Sequence, residues 1–396
     1  MGIFRVGAAL LAAAVLALAG AEVEWTYQPP LPNGSSLALC EAGQHIYVVG
    51  YAAVGQRPNG STPMWHVEML RKADGALVKT WSWPGGSGEL WACAAAGGKL
   101  VAVGDGHGRW SILLFGPNLT LMKLEVEDVA GIPYAVAVGG RYIYVAGAEY
   151  LGRYSRWRVE KRSLDDLTLL AVYTASSLGE VDRAVGIGVN PATGEIWVVG
   201  ARSGAPWTVE ILDGELRRVE ALGANLSTSP TGVVFDDEGN AYVYGTGYVV
   251  KYSKEGRELA RTWIGADTAR GAAYLGGVLY LATEDFKLIT IPPGGWGVRS
   301  YVPFTDLARA VKGHATVVRG AVYSQGHIYV AGGNWLVLSV ATPNHTAARR
   351  VAETGSSTPK PETQPTPQVL TYVAAAAVAT AGVLAARRRL VARRQT

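Results

Sequence analysis

Three arginines and two aromatic residues occupy corresponding points of a repeated pattern. Tyr134, Thr231, Arg270 and Arg319 each lie four residues before the end of a short apolar run, and Trp91 falls close to the same register. Arg183 lies about two residues earlier on its own run, which on a strand keeps it on the same face. A guanidinium fork matches a carboxylate or phosphate, and aromatic faces accept sugar rings. Arg183, Arg270, Arg319, Trp91 and Tyr134 therefore form a candidate site for an anionic ligand. The alternative is local: each arginine pairs with Asp182, Asp267 or a backbone carbonyl, and no site results.

Asp105 and His107 share the loop DGHGR and have the residue types of an acid–base or metal-binding pair. Asp and His in a Gly-rich turn are also ordinary turn formers. The stretch EYLGRYSRWRVEKR (149–162) interleaves arginines with aromatics, as a protein- or glycan-binding edge does, or as a solvated strand face does. His45 and His327 sit at matching strand starts and read as structural. There is no nucleophile elbow, P-loop or HExxH pattern, and two cysteines do not make a zinc site. No catalytic residue, metal or cofactor is assigned.

The elements that must position these residues are short strands. HIYVVG (45–50), KLVAVG (99–104), YIYVAG (142–147), EIWVVG (195–200), AYVYG (241–245), VLYLAT (278–283) and HIYVAG (327–332) are copies of one strand. Each follows another apolar run and a turn. A period of roughly 35 to 55 residues is that of propeller blades, each a small antiparallel sheet that cannot bury a core alone. The phrase FDDEGNAYVYG (235–245) followed by KYSKEGRELARTW (251–263) resembles the prokaryotic beta-propeller repeat. LRKADGALVKTW (70–81) resembles its second half and also the strand turns of quinoprotein and YVTN-type propellers. The resemblance implies a seven-bladed fold and little about activity. The S-x-D-x-G-x-x-W box of sialidase-like propellers and the full quinoprotein tryptophan repeat are absent.

Trp65, Trp110, Trp157, Trp207, Tyr248 and Trp335 each open a third strand, as blade-to-blade packing demands. The loops before these strands are long in blades one to four and short in blades five to seven, so half of one channel mouth is built up. The last blade lacks an outer strand, and EVEWTYQ (22–28) is a strand without a blade; their pairing would close the ring. Cys40 and Cys93 lie on neighbouring first strands and are either bridged or buried free thiols.

The flanks suggest export. Arg5, an apolar run and Ala19-Gly20-Ala21 read as a signal peptide over 1–21. The propeller is expected over 22–345 and a Pro/Thr-rich stalk over 346–368. An uncharged run over 369–386 is expected to form a transmembrane helix, with an Arg-rich cytoplasmic tail over 387–396. The fold class expected is thus all-β, a seven-bladed β-propeller ectodomain with one C-terminal transmembrane α-helix.

The formal charge of +4 comes largely from the ends: removing Arg5 and five tail arginines from 36 basic residues leaves 30 against 32 acidic, a net of −2. A mildly acidic domain without a basic tract excludes nucleic acid as a natural partner. Five of eight asparagines (Asn33, Asn59, Asn118, Asn225 and Asn344) begin N-x-S/T sequons, the pattern of a glycosylated surface protein. Together these features resemble an archaeal envelope protein, single-pass in the cell membrane. The function expected is binding of an envelope protein, a glycan or a small anionic ligand. The alternatives are an extracellular hydrolase, lyase or cofactor-dependent dehydrogenase, and a structural envelope spacer.

Overall fold

Runs rich in Val, Ile and Tyr, cut every few residues by Gly or polar turns, favour hairpins over helices. The computed structural model describes residues 22–342 apart from 30–33, 55–61, 84–86, 177, 294–295, 297–303 and 308–316. Its strands pair antiparallel throughout. β1 (Glu22–Tyr27) precedes a first sheet of β2 (Gly34–Ala42), β3 (His45–Val54), β4 (Thr62–Arg71) and β5 (Leu77–Ser82). β6 (Gly88–Ala96), β7 (Lys99–Gly106) and β8 (Arg109–Gly116) are completed by the first half of β9 (Thr120–Gly139). The second half of β9 opens the next group, with β10 (Tyr142–Leu151), β11 (Tyr154–Ser163) and β12 (Leu169–Thr174).

The pattern continues with β13 (Arg183–Val189), β14 (Ile196–Arg202), β15 (Ala205–Leu212) and β16 (Arg218–Gly223). β17 (Pro230–Phe235) pairs with the first half of β18 (Ala241–Tyr252), whose second half pairs with the first half of β19 (Glu258–Leu275). The second half of β19 continues into β20 (Val278–Thr283), β21 (Lys287–Ile291) and β22 (Phe304–Asp306). Last come β23 (Val318–Ser324), β24 (His327–Gly332) and β25 (Leu336–Ala341), with β1 added at the outer edge beside β25. β1 thus supplies the strand that the last sheet lacks, and the two ends of the ring are tied in one sheet.

The innermost strands β2, β6, β9, β13, β17, β19 and β23 touch their neighbours in that order, and β23 returns to β2. Small residues let them approach: a Cβ on Gly186 would lie 2.7 Å from Gly232 Cα, and one on Gly271 would lie 2.5 Å from the Ala321 nitrogen. Radial sheets around an axis, each packed on the next, make an all-β propeller.

The recurring tryptophans join the sheets. Trp65 Nε1 donates to the Asp105 carbonyl at 2.9 Å, Trp157 Nε1 to Ala201 at 3.0 Å, and Trp335 Nε1 to Tyr51 at 3.2 Å. Each donor lies on one sheet and each acceptor near the end of the second strand of the next. Burying such a ring contributes roughly 2–3 kcal/mol. In these three the indole N–H is satisfied by a carbonyl of the neighbouring sheet, whereas Nε1 of Trp110 and of Trp207 is buried without such a partner.

The expected C-terminal membrane helix is corrected. Among the described residues no helix is long and apolar enough to cross a membrane, and the one helical segment is the three-residue 3-10 turn Pro117–Leu119. Residues 369–386 lie outside the described residues, as do 1–21, 346–368 and 387–396. Eighteen uncharged residues reach only the lower limit of a span, and apolar composition alone does not distinguish a bilayer helix from other apolar segments.

Candidate ligand site at the channel mouth

The seven innermost strands share one irregularity. In each pair of first and second strands the register slips by one residue at the same height, leaving a single unpaired residue on the first strand. The residues skipped are Leu37, Trp91, Tyr134, Val185, Thr231, Arg270 and Arg319. Such a bulge re-aims a side chain, and all seven line one central cavity of about 600 Å³. Every sheet therefore contributes one residue to a ring, and the fold determines where that residue points whatever its identity.

The closing glycine of the repeated strand sits opposite the bulge. A Cβ on Gly50, Gly104, Gly147, Gly200 or Gly245 would overlap the carbonyl oxygen of Ser35, Glu89, Ile132, Arg183 or Ser229 respectively. Those carbonyls belong to residues two positions before the skipped one. In these five sheets the bulge folds the first strand onto its partner there and leaves no room for a Cβ; the sixth sheet makes the same bulge beside Thr283.

The ring is chemically lopsided. Leu37, Trp91, Tyr134 and Val185, on four successive sheets, form an apolar and aromatic arc. Thr231, Arg270 and Arg319 complete it on the other three. Arg183, two residues before Val185, lines the same cavity above the ring, as do Ser229, Thr246 and Thr268. The two aromatic rings meet edge to face, centroids 5.5 Å apart. Trp91 Nε1 donates to Asp105 Oδ1 at 3.1 Å, which fixes the indole plane. The Tyr134 hydroxyl bonds that of Tyr150 at 3.1 Å. Burial pushes the Tyr134 phenol well above its ordinary pKa; Tyr150 adds to the rise and the neighbouring Arg183 guanidinium opposes it.

The five residues Arg183, Arg270, Arg319, Trp91 and Tyr134 are thus brought to one cavity, and the arginines differ in their partners. Arg270 is held by Glu284, its Nε donating to Oε1 at 2.6 Å with Nη2 on the same oxygen. Arg319 feels Glu89, whose carboxyl is raised by burial and by Asp105 and lowered by Arg319. Arg183 has no carboxylate within ion-pair distance among the described residues. The local partners expected from sequence are engaged elsewhere: Asp182 Oδ1 accepts the Ser203 amide at 2.7 Å, and Asp267 Oδ2 accepts from Lys287 at 2.9 Å.

Asp105 and His107 do not form a pair that faces the cavity. Asp105 holds Trp91, while His107 sits exposed at φ 54° with Nδ1 3.3 Å from Ser87 Oγ. The arginines of 149–162 form an ion ladder. Arg156 and Arg158 pair with Glu149, Arg158 and Arg162 pair with Glu160, and Arg162 is 2% exposed. Cys40 and Cys93 form a disulfide between the first two innermost strands, Cα atoms 5.8 Å apart. Asn118 and Asn225 are exposed; Asn33, Asn59 and Asn344 lie outside the described residues.

No protein-family model matches the sequence, and no curated protein does. Solved structures do. The chain is similar to the WD40 domain of Neurospora crassa Pan2, with a TM-score of 0.58 at 11% identity over 82% of this chain and 96% of that one. The WD40 propeller of Doa1 gives 0.59 at 11% identity over 82% and 97%. A catalytically inactive virginiamycin B lyase from Staphylococcus aureus, solved with quinupristin, gives 0.62 at 9% identity over 81% and 99%. At such identities the likeness establishes the β-propeller fold alone.

Proposed function

We propose that this propeller is a binding module that takes a small anion-bearing ligand at the mouth of its channel. The observation that carries the reading is the cavity's lining, which among the described residues includes three guanidinium groups and no carboxylate. A cation-lined pocket of several hundred Å³ with a few convergent polar groups has the form of a ligand site. The Cys40–Cys93 bridge supports work in an oxidising compartment, at the cell envelope or beyond it. The exposed sequons Asn118 and Asn225 fit the same setting.

Catalysis is the weaker reading, since Asp105 orients an indole and His107 stands apart from the cavity. A second binding mode has its own observation. Exposed apolar residues recur on the outer strands, among them Met122, Leu170, Val219 and Trp263, and such a rim suits a protein-interaction scaffold.

The test is a thermal-shift screen of the full chain with sugars, uronic acids, phosphates and quinone cofactors. Wild type is compared with an Arg270→Ala/Arg319→Ala double variant. A ligand at 100 times its Kd stabilises by about 2.7 kcal/mol, or about 4 °C for a domain of about 320 residues. A shift that the variant loses supports the site. Silence across all anions refutes it and turns attention to the rim.

A further inference from the structure

We infer that the ligand of this cavity is a sugar acid, a pyranose with one carboxylate, and that Arg183 holds the carboxylate. This rests on the binding reading above and narrows it. Three parts of the lining, adjacent around the channel, would each meet one part of such a molecule.

The first part is the aromatic arc. Trp91 and Tyr134 stand on neighbouring sheets, edge to face, with the indole held by Asp105. Aromatic faces beside Leu37 and Val185 meet the C–H side of a pyranose. The second part is Arg183, on the sheet next to Tyr134 and beside its hydroxyl. Arg183 is the arginine whose charge is least compensated. Glu284 grips Arg270, and Glu89 lies within the electrostatic reach of Arg319, whereas the partner beside Arg183 is a neutral phenol. An incoming carboxylate would gain most there, because a bidentate guanidinium pair is the strong form of the contact and displaces no existing ion pair.

The third part lies one sheet further on. Ser229, Thr231, Thr246 and Thr268 line the cavity with hydroxyls. Thr231 donates to the carbonyl of Ala269, with that of Tyr244 3.2 Å away, and Thr246 and Thr268 bond each other at 3.1 Å. Their oxygens retain acceptor lone pairs, suited to ligand hydroxyl groups. An aromatic acid would satisfy the first two parts and leave the third unused. Phosphate would use only the second.

The experiment is calorimetric titration of the full chain with glucuronate, galacturonate, glucose, benzoate and inorganic phosphate. Wild type is compared with Arg183→Gln, Arg183→Lys, and Arg217→Gln, a charge-loss control at an exposed turn distant from the cavity lining. The expected result is binding of one uronate at least tenfold tighter than glucose. Arg183→Gln should weaken it roughly tenfold to a hundredfold, the range for a charge-assisted hydrogen-bonded contact. Arg183→Lys should lose less, and Arg217→Gln should match wild type. Binding of benzoate or phosphate with both uronates silent overturns the sugar-acid inference and leaves the anion site standing. Uronate binding that Arg183→Gln does not weaken overturns the role of Arg183. Silence with every anion removes the binding reading itself.

Discussion

The ring closes through β1, and one side chain on it reaches past its own sheet. Trp25 pairs in the sheet of β25, yet its Nε1 donates to the Lys72 carbonyl at 2.9 Å, in the turn between β4 and β5 of the first sheet. The indole lies on the backbone of Gly75, where a Cβ would come within 2.5 Å of the ring. It also packs near Tyr329, centroids 5.8 Å apart. Trp25 is therefore a rivet between the last sheet and the first. Truncating a fully buried Trp to Ala costs about 3–5 kcal/mol. Trp25 is half-buried, so the packing part is about 1.5–2 kcal/mol, and orphaning the buried Lys72 carbonyl adds about 1 kcal/mol. Trp25→Ala should then cost about 2.5–3 kcal/mol. With an unfolding entropy of about 2.1 cal/mol/K per residue over about 320 residues, Tm falls by about 3–5 °C.

The partner substitution makes the reasoning refutable. Gly75 has φ +69°, so Gly75→Ala carries a backbone cost of about 1 kcal/mol and, in the wild type, a clash with the indole as well. Removing the indole removes the clash and leaves the backbone term. A double-mutant cycle by calorimetry and urea denaturation should give a coupling of about 1 kcal/mol or more, with Gly75→Ala less costly in the Trp25→Ala background. Costs that add within about 0.5 kcal/mol, or a Tm change below about 1 °C for Trp25→Ala, would refute the rivet.

The disulfide and the carboxyl cluster allow two further tests. Cys40 and Cys93 are 53 residues apart, and loop entropy for that span is worth about 4 kcal/mol; the Cys40→Ser/Cys93→Ser double variant should melt about 6 °C lower, and an unchanged Tm in calorimetry would contradict the bridge. Glu89 has a folded-state pKa raised above its ordinary 4.5, first by burial and then by Asp105, so its ionised form opposes folding. That cost is absent below the ordinary value, where the group is protonated folded and unfolded, and develops as pH rises through the folded value. Glu89→Gln should therefore raise Tm at pH 7 and have little effect at pH 4; equal gains at both pH values would show that charge is not the cause.

The period of the strands was plain in the sequence because each second strand ends in a small residue after three or four apolar ones. That ending sits opposite the bulge, so the most regular feature of the sequence also marks the height of the ring of skipped residues. Counting back from the apolar runs reached Trp91, Tyr134, Thr231, Arg270 and Arg319. It missed Leu37 and Val185, since an aliphatic residue within an aliphatic run has no contrast to reveal it. The carboxylates nearest the arginines in sequence are not their partners in space, for a geometric reason. Asp182 precedes Arg183 directly, and successive side chains on a strand point to opposite faces. Glu284 reaches Arg270 across the hairpin, where Ala269 pairs with Thr283. Cross-strand neighbours are set by register, and the one-residue slip that defines the site also shifts that register.

The same bulge explains why the fold is legible while the ligand must be sought by experiment. Seven strands share one bulge and present six residue types at one height: Leu, Trp, Tyr, Val, Thr and, twice, Arg. If the position served packing alone, apolar residues all around would suffice; Arg319 is instead exposed and Arg270 only partly buried. The polar choices are contiguous on three sheets and the apolar ones on four. Such a division gives the channel a direction, with one wall apolar and aromatic and the other polar. A ligand bound there would have its orientation set by the order of the sheets.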